Sequence, residues 1–134
     1  MKKIKKRSSC AISSALDIIG DKWALLIVRD MMFHDKNTYG DFHKCAEKIA
    51  TNVLADKLVL LESSGIIEKK KHPESKVKYL YKLTQKGIDL LPVLMEIILW
   101  SDKHLDISEN GKAVAKKIRE DKKGMLKKYL ENIS

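Results

Sequence analysis

Glycine and proline are scarce in this 134-residue sequence, at six and two, which argues against an all-β or loop-rich chain and leaves helix to dominate. Cysteine is equally rare. Cys10 and Cys45 are far apart with no CxxC pattern, so neither a disulfide scaffold nor a zinc-site spacing is present. His34, His43, His72 and His104 are scattered without a metal motif, and neither a glycine-rich phosphate loop nor a serine elbow occurs. No cofactor, metal or enzymatic activity is therefore expected. No apolar run approaches the roughly 18–20 residues that span a bilayer. Leu90 to Trp100 comes nearest, and Pro92 and Glu96 interrupt it. The basic start, Met1 to Arg7, is followed by Ser8, Ser9 and Cys10 rather than by the apolar core of a signal peptide. A cytoplasmic protein without membrane contact is expected.

Positive charge is what the chain has in excess. Lys and Arg number 27 against 18 Asp and Glu, a net charge of +9. Such a balance implies a polyanionic partner, nucleic acid ahead of an anionic membrane surface. A hydrophobic fraction of 44% suffices for one ordinary core.

Apolar residues recur at helical spacing from Ser14 to Met32, and Gly20-Asp21 divides the run. A short helix before Gly20 and a second from Lys22, capped by Asp21, are predicted. The polar His34-Asp35-Lys36-Asn37 reads as a turn, and Thr38 with Asp41 three residues on forms a capping box opening a third helix to about Glu47. Cys45 is expected to pack inside that helix. Thr51 to Ser63 carries a stripe of Val53, Leu54, Leu58 and Leu61, with Gly65 where a C-terminal cap belongs.

The period then changes. Residues 66–71 and 77–83 are β-prone around a polar tip, and Val77, Tyr79, Tyr81 and Leu83 alternate with lysines in the second, so a hairpin is predicted. Thr84 can cap a helix to about His104 that is apolar over more than one face. A tail with helical pattern follows from Ser108 to about Leu130. Trp23, Phe42, Tyr81 and Trp100 are expected mostly in the core. The order, three helices, a hairpin and a further helix, is that of a winged helix-turn-helix. The fold class is mainly α with a small β-hairpin wing, a long C-terminal helix for dimerisation and an additional helical tail. The expected division is a basic arm over 1–9, the winged helix-turn-helix with its dimerisation helix over 10–107, and a basic helical tail over 108–134.

Ala15-Leu16-Asp17-Ile18-Ile19-Gly20-Asp21-Lys22-Trp23, preceded by Cys10, resembles the opening signature of HxlR-type regulators. Gly65-Ile66-Ile67, Tyr81-Lys82-Leu83-Thr84-Gln85-Lys86-Gly87 and Trp100 fall in that family's order, and the resemblance spans about residues 10 to 104. It implies a bacterial transcription regulator, a homodimer built from the terminal helices on a pseudo-palindromic operator. The sequence departs from the family pattern at Ala11, where proline is usual, at Asp35 to Thr38, where glycine and arginine are usual, and at Ala50, where serine usually opens the recognition helix. Capping there is expected to shift to Thr51.

In a helix-turn-helix the second helix enters the major groove of double-stranded DNA. Thr51, Asn52, Ala55, Asp56 and Lys57 are the candidate readers: Asn52 suits adenine, Ala55 a thymine methyl, and Asp56 either accepts from cytosine or faces solvent. Between residues 69 and 86 the lysines Lys69, Lys70, Lys71, Lys76, Lys78, Lys82 and Lys86 face one acid, Glu74. Lys70, Lys71, Lys76 and Lys78 are the candidate wing contacts to phosphate, with a solvated charged face as the alternative. Lys2, Lys3, Lys5, Lys6 and Arg7 form either an arm on DNA or a solubilising end. Ile12, Leu94, Ile98 and Trp100 are expected at the dimer interface. Cys10 is a candidate redox sensor, because a thiol before a helix and near cations is activated, or else a small residue packed at that interface. A winged-helix protein-interaction module without sequence-specific DNA binding is the competing function. An RNA-binding domain is disfavoured by the lack of an aromatic platform beside the basic hairpin. Any small-molecule effector is left unidentified.

Overall fold

The computed structural model describes residues 5–133, so Lys2 and Lys3 of the basic arm lie outside the described residues. The order of elements is α1 (Ala11–Ile19), α2 (Ala24–Phe33), α3 (Tyr39–His43), α4 (Thr51–Ser63), β1 (Ile67–Lys71), β2 (Tyr79–Leu83), α5 (Gln85–Ile88), α6 (Leu91–His104), α7 (Glu109–Glu120) and α8 (Lys122–Ile133). This is the winged helix-turn-helix with an added helical tail. Two compact units result, Met1–Gly87 and Ile88–Ser134. The long helix thus groups with the tail, whereas the sequence pattern assigns it to the domain ending at 107.

In the first unit, α1 begins at Ala11, earlier than the apolar periodicity suggests, because the Ser14 amide already donates to the Cys10 carbonyl at 2.8 Å. α2 starts at Ala24, two residues later than expected, so the N-terminal cap position falls to Trp23 and Asp21 reaches the helix start from just before it. Its Oδ1 accepts from the amides of Trp23 (2.7 Å) and Ala24 (2.9 Å), satisfying donors that a helix start leaves orphaned. The buried face of α2 is Ala24, Ile27, Val28 and Met32, joined by Asp30. That carboxylate is 2% exposed, and Arg29 (3.0 Å) and Lys36 (3.4 Å) donate to it. A buried charge needs such partners.

The capping box of α3 forms. Thr38 Oγ1 accepts from the Asp41 amide at 3.2 Å, and Asp41 Oδ2 accepts from the Thr38 amide at 3.3 Å. The helix stops at His43 instead of Glu47. The Lys44 and Cys45 amides turn back to carbonyls three residues earlier, and Lys48 adopts φ 59°. Cys45 is therefore buried beyond the helix, not within it. At the far end of α4, Gly65 (φ 77°) donates to Glu62 O and Ile66 to Leu61 O, the paired bonds of a left-handed C-terminal cap.

The hairpin pairs Ile67 with Leu83 and Lys71 with Tyr79. Only its base is buried, at Ile67 and Leu83, so the outer part of the wing stands in solvent. The Tyr81 amide donates to Asn37 O at 2.8 Å, tying the wing to the turn before α3, and the Tyr81 ring meets Phe42 edge-on at 5.9 Å. Gly87 closes the unit. A Cβ there would lie 2.3 Å from the Ile66 carbonyl oxygen, so no larger residue fits without movement.

The helix expected from Thr84 to His104 is two helices. Thr84 Oγ1 accepts from the Gly87 amide (3.2 Å) to start α5, and α6 begins afresh at Leu91 with Pro92 in its first turn. Proline has no amide to donate and suits a first turn, so the chain restarts there instead of continuing. In this second unit α6 packs on α7, with Leu91, Leu94 and Met95 buried on the first and Ala115 and Ile118 on the second. Arg119 reaches Asp102 at 2.6 Å, and Lys122 pairs with Glu96. The single helical tail of the sequence pattern is broken at Asp121, whose Oδ1 accepts from the Gly124 amide and opens α8.

Candidate nucleic-acid interface

The exposed side of α4 holds Thr51, Asn52, Ala55 and Asp56, brought onto one stripe by helical spacing. Val59 extends the stripe a turn further and is 45% exposed. The sequence reading missed it. Its signal is the seven-residue spacing from Asn52, which returns to the same face. Ala50 is the N-terminal cap residue and offers no side-chain acceptor, so the cap does not shift to Thr51. The start of α4 is instead held from α3, where the Tyr39 hydroxyl donates to the Thr51 carbonyl at 2.8 Å.

Lys57 departs from expectation. Its ammonium lies 3.4 Å from Asp21 Oδ2 and its side chain is 19% exposed, so it ties α4 to the start of α2 rather than standing free on the exposed stripe. Trp23 is likewise not a core residue. It is half-buried beside the shallow groove that Asp21, Asn52, Val53, Asp56 and Lys57 line, with the Lys22 ammonium 5.4 Å from its ring.

On the wing, Lys70, Lys71, Lys76 and Lys78 are all exposed. Lys70 is partly neutralised by Glu68 at 3.6 Å, and Lys69 sits over the Tyr79 ring at 4.1 Å. The tip is shaped by His72, whose amide donates to Lys78 O and whose Nδ1 accepts from the Glu74 amide at 3.1 Å. Val77 stands out between Lys76 and Lys78, 84% exposed.

Of the residues expected at a dimer interface, Ile12 is 72% and Trp100 58% exposed, which takes Trp100 out of the expected core. Ile98 is half-buried, and Leu94, at 7% exposure, offers almost no area to a partner. The exposed apolar face of α6 runs instead through Pro92, Val93, Ile97 and Trp100. On α1, Leu16 joins Ile12 one turn on. Cys10 is exposed at the start of α1, and the amides of Ser13 and then Ile12 face its sulfur and hold the thiol below its ordinary range. Arg7 is exposed, and its Nε donates to Asp17 at 2.5 Å. Among the described residues no group of three potential metal ligands converges.

A family model, HxlR-like helix-turn-helix, matches residues 18–120. The chain belongs to the HxlR-like helix-turn-helix family. YdeP of Bacillus subtilis, an HTH-type transcriptional regulator, is 31% identical over 107 residues, 80% of this chain and 83% of that protein. YodB of the same organism, also an HTH-type transcriptional regulator, is 33% identical over 68% of this chain and 80% of its own length. The structure of reduced YodB superposes with a TM-score of 0.60 at 29% identity, covering 76% of this chain and all (100%) of that one. The redox regulator HypR in its oxidised form gives a TM-score of 0.63 at 26% identity over 73% of this chain and 100% of that one. As an HxlR-like protein this chain is a DNA-binding transcriptional regulator, and its α3–α4 pair is the helix-turn-helix.

Proposed function

We propose that this regulator acts as a two-fold homodimer on an inverted-repeat operator. In each half-site α4 lies in the major groove, Thr51, Asn52, Ala55, Asp56 and Val59 face the bases, and Lys70, Lys71, Lys76 and Lys78 lie along phosphates. The observation that carries the reading is the exposed polar stripe of α4 beside a lysine-rich wing whose outer part is left uncovered by the described residues. Asn52 pairs with adenine through two hydrogen bonds, and Ala55 and Val59 offer apolar contact to thymine methyls. Two copies place their recognition helices about 34 Å apart, one turn of DNA. The apolar faces around Ile12 and around Ile97 and Trp100 are the surfaces offered to the partner copy, since exposed patches of that kind mark contacts. No described helix is long and apolar enough to cross a membrane, consistent with action in the cytoplasm.

Selection from random duplexes tests this directly. An inverted repeat should emerge, bound with steep salt dependence. Asn52→Ala should lose about 1–3 kcal/mol and relax the preference at one position of each half-site. Enrichment of no sequence would overturn the reading.

The second part of the proposal is that Cys10 senses oxidants or electrophiles. Its thiol is solvent-exposed and activated by the amides of α1, whereas Cys45 is buried. Oxidant should release the wild-type protein from DNA and leave Cys10→Ser bound. Equal release of both proteins would remove the sensor.

A further inference from the structure

We propose that the cationic face of α7 and α8 is a second DNA-contact surface, holding backbone phosphates outside the segment read by α4. The inference rests on the DNA-binding reading above and extends it to α7, where the family match ends at residue 120, and to α8, which lies beyond that match.

Between Lys112 and Lys128 stand Lys112, Lys116, Lys117, Arg119, Lys122, Lys123, Lys127 and Lys128, against only Glu120 and Asp121. Three of these cations are neutralised inside the unit: Lys112 by Glu109 (3.4 Å), Arg119 by Asp102 (2.6 Å) and Lys122 by Glu96. Lys116, Lys117, Lys123, Lys127 and Lys128 are exposed and have no ion-pair partner among the described residues.

Their placement follows from the packing. On α7, Ala115 and Ile118 take the buried side with half-buried Val114, which leaves Lys116 and Lys117 outward. On α8, Met125, Leu126 and Tyr129 are half-buried, which leaves Lys123 and Lys127 one turn apart in solvent. Lys117 of α7 and Lys128 of α8 line one shallow groove. Glu120 and Asp121 line it too, but an oxygen of Asp121 is engaged by the Gly124 amide. Like charges four residues apart on a helix repel, and the cost is retained unless an anion relieves it.

The chemistry favours phosphates over a lipid surface. No residue of α8 is fully buried, but Met125, Leu126 and Tyr129 are half-buried, and Leu130, 40% exposed, adds only a narrow apolar strip for a helix lying in an interface. Lysines without a planar fork or an aromatic platform bind point charges and carry no base preference. A regulator that already holds DNA brings such a surface its anion.

The test compares the full-length protein with a variant in which these five lysines are glutamine, on the selected operator alone and with ten base pairs added at each end. Each lysine engaged with phosphate should steepen the salt dependence by about 0.9 in log–log slope. That equals about a 3.5-fold loss of affinity per lysine for a fourfold rise in salt. The wild type should prefer the longer duplex, the glutamine variant should not, and five arginines should restore the preference. Base preference should be the same in all three. Equal slopes and equal length dependence would overturn the proposal, as would a defect seen only on anionic lipid vesicles. If no operator emerges from selection, the same comparison on a mixed-sequence duplex still tests this surface, so its failure is distinct from failure of the operator reading.

Discussion

The carboxylate of Asp21 is divided between two tasks: one oxygen accepts from the Trp23 and Ala24 amides at the start of α2, and the other lies 3.4 Å from the ammonium of Lys57 in α4. The amide bonds hold the backbone at the start of α2, while the ion pair links α4 to it. Asp21→Asn keeps an acceptor for the Trp23 and Ala24 amides and removes only the ion pair. At 19% and 28% exposure, that pair should contribute less than about 1 kcal/mol. Asp21→Ala removes both and should cost about 1–2 kcal/mol. Urea unfolding of the two variants separates the effects, and equal losses would show that the amide bonds contribute nothing. Asn at 21 should also free Lys57 and raise sequence-blind DNA affinity.

Glu47 and Arg29 form a two-pronged ion pair, both contacts 2.8 Å, that fastens the α3–α4 connection to α2. The paired guanidinium holds the Glu47 carboxyl at about 2, below its ordinary 4.5. A depressed carboxylate stabilises the fold above its unfolded value, and that contribution fades as pH falls from about 4.5 towards about 2. Glu47 is 38% exposed, so solvent screening leaves only part of that stabilisation. Thermal unfolding from pH 6 down should therefore show a shallower acid limb in Glu47→Gln than in the wild type. Parallel limbs would mean that other carboxylates govern acid unfolding.

Local signals carried much of the fold. The Thr38–Asp41 box, the Asp21 acceptor and the Gly65 turn rest on short-range chemistry that the chain spells out within four residues. Part of what failed depended on distant partners. Nothing near Lys57 reveals that Asp21, thirty-six positions earlier in the sequence, holds it off the exposed stripe. α3 ends early where the Lys44 and Cys45 amides turn back to carbonyls three residues earlier, and the left-handed Lys48 that follows is a conformation lysine does not announce. The restart at Leu91 escaped because the apolar spacing runs on through Asp89 and Leu90, and only Pro92 hints at a new first turn. Trp100 was assigned to the core from its apolar surroundings in sequence, yet a helix that is apolar around its circumference must expose one side when the chain is alone.

Two glycines should respond in opposite directions to alanine. Gly87→Ala drives a methyl to 2.3 Å from Ile66 O and 2.9 Å from a Leu83 methyl, where the hairpin base meets α5. Relief requires backbone movement, at a cost of about 1–3 kcal/mol. Gly40 lies in α3 with nothing within 4 Å of the added carbon. Alanine there removes backbone freedom from the unfolded chain and should stabilise by about 0.5–1 kcal/mol. Midpoints of urea unfolding give both signs. A stable Gly87→Ala protein would show that the turn between β2 and α5 yields easily.

Ile97 and Trp100 expose 44% and 58% of their surface on one side of α6, and with Val93 they make an apolar face that water covers only at a cost. If a second copy covers it, charge placed there should separate the subunits without unfolding them, because neither side chain is in the buried core. Ile97→Asp with Trp100→Asp should therefore sediment as a monomer while keeping its helical circular dichroism. Each monomer holds one half-site, so the salt slope of DNA binding should fall to about half and affinity for the full operator should fall steeply. A charged variant that stays dimeric would move the interface elsewhere, with the exposed Ile12 and Leu16 face of α1 as the next to be substituted.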